Sequence, residues 1–278
     1  MTILDQRTLE RVFTPGPVLY SYSALPAATP AAVVAIVHGY GEYGGRYAHV
    51  MGAWADRGIA SVAIDLRGHG RAAGRRGFCE RFGEYLDDTR ELERLTADKT
   101  VPAFLFGHSL GGLVAASSAL ARPTLWRGLL LSAPFFGLAM EVPRIKLMAG
   151  KIASRLVPTL SLPNGIRGSD VTHDRAVARA YEEDPLVFHV ANARWLTEVQ
   201  AAQRRAIENA GTLSLPLYAV MGTDDRISKV EKAQEFFNAA GARDKTWDSR
   251  VGLFHEVLNE PEWRDIADKI ADFVLARV

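Results

Sequence analysis

Short apolar runs alternate with segments of helical spacing along most of the chain. Buried strands are predicted at residues 33–37, 59–64, 102–106, 128–131 and 217–221, with a less apolar candidate at 245–251. Helical spacing marks residues 49–57, 82–97, 110–121, 229–240 and 261–276. Strands that are apolar throughout are buried on both faces, so this alternation predicts a mostly parallel sheet with helices on both sides. An earlier run, 18–22, predicts an antiparallel strand at the edge of that sheet.

The alternation is interrupted between residues 134 and 215. Helical spacing recurs there over 143–156, 176–183 and 194–207, and no strand pattern is seen. Because the sheet pattern resumes afterwards, we interpret residues 134–215 as a helical insertion. The core is then formed by residues 1–133 and 216–278.

The charge balance narrows the class of protein. Lys plus Arg number 33 and Asp plus Glu number 32, which argues against a general nucleic-acid binder, because phosphate binding needs a basic surplus.

No apolar run approaches the roughly 18 residues of a membrane-spanning helix, and the first residues lack a basic start followed by an apolar stretch. We therefore expect a cytoplasmic protein, with attachment to a membrane surface left open and no oligomeric state indicated.

Residues 107–111, Gly-His-Ser-Leu-Gly, fit the pattern G-x-S-x-G. In that pattern a serine nucleophile lies on a tight, strained turn between a strand and a helix, and the glycines two positions before and after it relieve the crowding. A buried strand pattern precedes the motif here and a helix of small residues follows it. The context predicts that Ser109 is a nucleophile.

A serine hydroxyl needs a base to take its proton, and histidine titrates near neutrality. In hydrolases with this motif the chain order is serine, acid, histidine. Three of the seven histidines follow Ser109; two of them lie in the insertion, so His255 is the predicted base. The acid should follow the strand at 217–221, where Asp224 and Asp225 are adjacent, and either one could orient the imidazole.

The same chemistry needs two N–H donors for the developing oxyanion. One should be the backbone N–H of Leu110, directly after the serine, and the second should come from the loop after an early strand. Residues 38–41, His-Gly-Tyr-Gly, follow the strand at 33–37, and Tyr40 is the predicted second donor.

Together these motifs resemble the monoacylglycerol lipase family, a branch of the α/β-hydrolase fold that also includes lysophospholipases. The matching segments are 38–47, 65–70, 107–112, 222–225 and 255–260. The similarity runs from about residue 18 to the end of the chain and is weakest in the insertion. It favours Asp225 over Asp224 as the acid.

The resemblance implies that the insertion is a cap over an acyl-chain pocket and that no metal or organic cofactor takes part. It also implies a polar pocket beside the serine, formed by Glu42, Arg46, His108 and Tyr181. Many relatives carry a serine shortly after the 67–70 turn, where this chain has Arg71 and Ala72, so the wall near the site differs there. Glu42 and Arg46 are four residues apart, and they could serve the head group or form an ion pair that orders the loop.

The expected function is hydrolysis of monoacylglycerol-like lipid esters to a free fatty acid and glycerol through an acyl-enzyme. The alternatives are a lysophospholipase or a short-acyl carboxylesterase. A non-catalytic binding protein on the same fold is a third hypothesis, and the intact Ser109, Asp225 and His255 argue against it.

The segment 143–156 is amphipathic. Its apolar stripe consists of Ile145, Met148, Ile152 and Leu156, and its cations are Lys146, Lys151 and Arg155. Two interpretations are open: the stripe packs on the core, as on most surface helices, or it lies in a lipid interface from which the substrate is taken.

Overall fold

The computed structural model describes residues 4–9, 16–97, 100–140 and 144–278. Eight strands form the central sheet: β1 Leu4–Leu9, β2 Leu19–Ala24, β3 Ala32–Val37, β4 Ile59–Asp65, β5 Ala103–His108, β6 Gly128–Ser132, β9 Leu217–Gly222 and β10 Lys245–Arg250. A separate pair is formed by β7 Ser161–Pro163 and β8 Val190–Asn192. The order in the central sheet is β1-β2-β4-β3-β5-β6-β9-β10. The six strands from β4 to β10 are parallel and the first two are antiparallel, which confirms the predicted mostly parallel sheet.

Helices cover both faces of this sheet. Those outside the insertion are α1 Ala48–Asp56, α2 Gly83–Leu95, α3 Leu110–Ala121, α8 Val230–Ala239 and α9 Trp263–Leu275. Successive side chains of a strand point to opposite faces. In β3, Val34 and Ile36 accordingly join one buried cluster with α1 and α9, whereas Ala35 and Val37 join a second cluster with α2, α3 and α8.

The insertion contains α4 Arg144–Leu156, α5 Gly168–Val171, α6 Arg175–Glu183 and α7 Ala193–Asn209. Its last helix, α7, is anchored on the core, because Trp195, Val199 and Ala202 are buried in the same cluster as α3. None of the helices in the described ranges is both long and apolar enough to span a bilayer.

Three residues of the apolar stripe of α4 are exposed. Met148 is 64% exposed, Ile152 58% and Leu156 76%, so the core-packing interpretation is wrong for these three residues. Pro143 and the side chains of Ile145 and Lys146 lie outside the described residues.

Two expectations about strands need correction. The strand predicted at 18–22 is antiparallel, but it is not at the edge, since β1 pairs with its free side. The polar sequence of β1, Leu-Asp-Gln-Arg-Thr-Leu, carries no apolar alternation that would have predicted it. The insertion was expected to lack strands, yet β7 and β8 pair within it; at three residues each they are too short to show a period of two.

Candidate active site

Ser109 lies at the junction of β5 and α3 in a strained backbone conformation. Its φ is 51° and its ψ −119°, a region that only glycine adopts freely. A Cβ at Gly107 would collide with the carbonyl oxygen of Gly111, and a Cβ at Gly111 would collide with that of Val37. The two motif glycines are therefore required by close approach of the backbone, as the sequence predicted.

His255 and Asp225 are hydrogen-bonded to each other. The distance from His255 Nδ1 to Asp225 Oδ2 is 2.7 Å, and both residues are buried. Because a carboxylate only accepts, Nδ1 carries the proton and Nε2 is left as an acceptor. Asp225 is held in turn by its Oδ1, which accepts from the N–H groups of Ile227 and Ser228, each at 2.8 Å.

Asp224, the neighbouring candidate, faces away from this pair. Its side chain is exposed and accepts a hydrogen bond from the hydroxyl of Thr223 at 2.9 Å. The structure thus brings Asp225, and not Asp224, to the imidazole of His255.

Two buried histidines, His108 next to Ser109 in the chain and His255 packed against His108, have opposite pKa shifts. Burial alone would lower the pKa of His255, but the charge of Asp225 and its hydrogen bond outweigh burial and raise that pKa above the ordinary 6.5. Burial, followed by the neighbouring His255, lowers the pKa of His108 to about 3. The two ring centroids are 4.9 Å apart. His108 therefore stays neutral at physiological pH.

The predicted oxyanion donors, Tyr40 and Leu110, have free backbone N–H groups: no hydrogen bond of the described residues uses either one. The loop after β3 lies directly against Ser109, since a Cβ at Gly39 would be 3.2 Å from the Cβ of that serine. The neutral His38 ring fixes this loop, because its Nε2 accepts from the N–H of Leu66 and its Nδ1 then donates to the Gly39 carbonyl oxygen at 2.7 Å. Burial lowers the pKa of His38 well below its ordinary value, which keeps the ring in this state.

The side chain of Tyr40 anchors the loop to the insertion. Its hydroxyl lies 3.1 Å from the carbonyl oxygens of both Gly77 and Val190, and its ring packs 3.8 Å from that of Trp195. The backbone at Tyr40 is therefore held between the core and the insertion.

A buried ion cluster joins the loop after β3, the predicted oxyanion loop, to the loop of His255. The guanidinium of Arg46 donates to Glu42 Oε2 at 2.8 Å and, in bidentate fashion, to the two oxygens of Glu256 at 2.6 and 2.7 Å. Burial by itself raises the pKa of Glu256, but Arg46 outweighs burial and holds it well below the ordinary value. The second oxygen of Glu42 accepts from the N–H of Gly39 at 2.6 Å, so Glu42 orders the loop that carries Tyr40.

All four residues of the predicted polar pocket lie in or beside this cluster. The Arg46 guanidinium is 5.2 Å from the ring centroid of Tyr181, and His108 packs against His255. The place of Glu256 in this cluster was not predicted from the sequence. Its partner Arg46 is 210 positions away, and no local pattern marks such a contact.

A cleft of about 450 Å³ lies between α4, α7 and the start of α8. Its lining includes Phe136 and Gln203 but not Ser109. Phe135, the residue before Phe136, is hydrogen-bonded to both Ser109 and the cleft: its N–H donates to the Ser109 carbonyl oxygen, and its own carbonyl accepts from Gln203, both at 2.9 Å. Ser109 is only 7% exposed, so its side chain is nearly covered.

The chain is similar in sequence to known proteins over most of its length. A family model described as serine aminopeptidase, S33, matches residues 28–262. The phospholipase YtpA of Bacillus subtilis is 30% identical over 240 residues, which are 85% of this chain and 92% of that protein. A monoacylglycerol lipase of Mycolicibacterium smegmatis is 28% identical over 91% of both chains. A longer relative, an uncharacterized abhydrolase domain-containing protein of Dictyostelium discoideum, is 31% identical. This chain spans 27% of the length of that protein.

A solved structure is also similar to this chain over nearly the whole length of both proteins. The crystal structure of a monoacylglycerol lipase from Paleococcus ferrophilus superposes with a TM-score of 0.85 at 29% identity. The match covers 94% of this chain and 99% of that one.

Proposed function

Because the chain belongs to the serine aminopeptidase, S33, family and is a lipase/esterase-type α/β-hydrolase similar to monoacylglycerol lipases, we propose that it is a serine carboxylic-ester hydrolase. Its substrates in this proposal are monoacylglycerol-like lipid esters, which it cleaves to a free fatty acid and glycerol. The observation that carries the proposal is the 2.7 Å hydrogen bond between His255 and Asp225, with the His255 ring 4.9 Å from that of His108, the residue before the strained turn at Ser109.

In the proposed mechanism, Ser109 attacks the ester carbonyl carbon while Nε2 of His255 takes its proton. The N–H groups of Tyr40 and Leu110 stabilise the oxyanion, each contributing roughly 3 kcal/mol. His255 then protonates the leaving alcohol, and an acyl-enzyme remains. Water, activated by the same imidazole, releases the fatty acid. Asp225 holds the tautomer and stabilises the imidazolium, and no metal or organic cofactor is used.

Residues 134–215 act as a cap over the acyl chain in this proposal, and α4 is the part that meets lipid. The exposed stripe of Met148, Ile152 and Leu156 is supplemented by the exposed cations Lys151 and Arg155 on the same helix. Apolar side chains with adjacent Lys and Arg suit a helix that lies in a membrane interface. Contact with a lipid surface would deliver the ester to the covered serine.

A lysophospholipase is the second candidate, because one relative of 30% identity is named a phospholipase. Hydrolysis rates on monoacylglycerols, lysophospholipids and a soluble short-acyl ester, each with graded chain lengths, separate the candidates. The proposal expects the highest kcat/KM on monoacylglycerols, and no turnover by Ser109→Ala. A preference for lysophospholipids would replace the substrate assignment, and the absence of turnover on all of them would reject ester hydrolysis.

A further inference from the structure

The loop that carries His255 is hydrogen-bonded on both sides of that histidine. The N–H of Phe254 donates to Glu260 Oε1 at 2.8 Å, and the N–H of Glu256 donates to the carbonyl oxygen of Val171 at 2.7 Å. Val171 is the last residue of α5, inside the insertion. One flank of His255 is thus bonded to the insertion directly.

The other flank reaches the insertion through Glu260, a carboxylate that is only 1% exposed. Its Oε2 accepts from the N–H of His173 at 2.8 Å, and its Oε1 lies 3.0 Å from Nδ1 of the same histidine. The hydroxyl of Thr172 donates to the Asn259 carbonyl oxygen at 2.7 Å. A single buried carboxylate therefore accepts hydrogen bonds from the insertion, between α5 and α6, and from the residue next to His255.

The ring of Phe254 extends the same contact. The imidazole of His173 stacks on it, with centroids 3.7 Å apart and planes at 25°. The guanidinium of Arg226, which follows Asp225 in the chain, lies 4.2 Å from the same centroid. Phe254, next to the proposed base, thus contacts both a side chain of the insertion and the residue that follows the proposed acid.

We propose that Glu260 is a positioning residue that fixes the backbone of His255 against residues 172–173 and so sets where the imidazole lies relative to Ser109. The inference rests on the proposed function, in which His255 is the base. Hydrogen bonds to a carboxylate are short and strong, and a displacement of about 1 Å in a reacting group can cost roughly 100-fold in rate. The position of residues 172–173 of the insertion and the position of the His255 imidazole are therefore coupled through the Glu260 carboxylate.

The test is Glu260→Gln in the full-length protein. An amide keeps the size of the side chain but replaces one of the two oxygens with a donor NH2 group. Because the N–H groups of Phe254 and His173 donate to different oxygens, one of them loses its acceptor. We expect kcat on a soluble short-acyl ester to fall by roughly 10- to 100-fold with KM unchanged. The low-field NMR signal of the proton on His255 Nδ1 should broaden or vanish. Glu182→Gln is the matched control, because this exposed carboxylate accepts from Gly168 within the insertion, and it should keep both properties.

Wild-type kcat together with an unchanged low-field proton in Glu260→Gln would overturn the positioning role. Failure of the wild-type protein to hydrolyse any ester would instead reject the proposed function, so the two failures are distinguishable. If circular dichroism shows that Glu260→Gln does not fold, His173→Ala decides, since it removes the ring on Phe254 and one donor to Glu260. It should lower kcat by about tenfold, and an unchanged kcat would overturn the proposal.

Discussion

At the residue scale, the two adjacent aspartates after β9 differ in what they touch. Asp225 accepts the Nδ1 proton of His255, whereas Asp224 is exposed beside Thr223. We expect Asp225→Asn to lower kcat by about 10⁴-fold, because the amide favours the wrong imidazole tautomer. Asp224→Asn is the matched control and should stay within about twofold of wild type. Steady-state kinetics on a soluble ester measure both, and the reverse ranking would move the acid to Asp224.

The raised pKa of His255 predicts the pH dependence of the reaction. The imidazole must be neutral to take the proton of Ser109, so kcat/KM should fall as the pH is lowered through the raised pKa. The acid limb should therefore have its midpoint above 6.5, the ordinary value for histidine. In Asp225→Asn, burial acts without the opposing carboxylate, so the midpoint of the residual activity should shift to lower pH. A wild-type midpoint at or below 6.5 would contradict this account.

The contacts of Arg46 favour the interpretation in which Glu42 and Arg46 order the oxyanion loop. Arg46→Lys keeps the charge but loses the bidentate bonds to Glu256. We expect about tenfold lower kcat/KM on a glycerol ester and an equal loss on a plain alkyl ester of the same acid, because the loop at Gly39 serves both. A loss confined to the glycerol ester would restore the role in head-group binding.

The motif and the chain order were sufficient to single out Ser109 and His255 as candidates, since the strand-to-helix turn and its glycines leave a local pattern. They could not choose between Asp224 and Asp225 from the residues, because the direction of each side chain depends on the N–H groups of residues 227 and 228. Glu256 and Glu260 were not predicted at all. Their partners are distant in sequence, and an acid beside a catalytic histidine has no spacing rule.

At the element scale, α4 is the helix whose surface departs from that of an ordinary surface helix. Met148→Ser with Ile152→Ser should leave the melting temperature nearly unchanged, because both side chains are exposed in the folded protein. Activity on dispersed long-chain esters should fall, while a soluble short-chain ester is still cleaved. Leu25→Ser, which replaces a side chain that is 65% exposed beside β2, is the matched control and should change neither.

Vesicle flotation of the unmodified protein provides an independent check on α4. Co-flotation with anionic vesicles at low salt, reduced in the double variant, is the expected result. Absence of co-flotation with neutral and anionic vesicles, or an equal loss of activity on all substrates, would remove the interfacial role.

The elements that the sequence predicted best are those with long runs of small or apolar residues. The strands β3, β4 and β5 are buried and largely apolar, and α3 was predicted with both of its ends correct. The strand β1 is polar and is stabilised by pairing with β2, a tertiary contact that leaves no trace in its own pattern. For the same reason the exposure of α4 could not be predicted, since an amphipathic stripe does not reveal whether another element covers it.

At the scale of the whole molecule, the predicted α/β-hydrolase fold is confirmed by the sheet and by the similarity to solved structures. In a parallel sheet the loops that follow the strands all lie at the carboxyl ends of the strands, which is where ligands bind in open α/β folds. The loop at Gly39 follows β3, Ser109 follows β5, Asp225 follows β9 and His255 follows β10. Topology therefore gathers residues that are more than 200 positions apart, and this gathering could be predicted once the order of the elements was known.

The central claim is that Ser109 is an activated nucleophile, and the most direct measurement is mass spectrometry of the protein after reaction with a fluorophosphonate. The account predicts one adduct per chain, located by peptide mapping on Ser109. Labelling should be absent in Ser109→Ala and roughly 10⁴-fold slower in Asp225→Asn, with both variants folded. An adduct on any other residue, or undiminished labelling of Ser109→Ala, would contradict it.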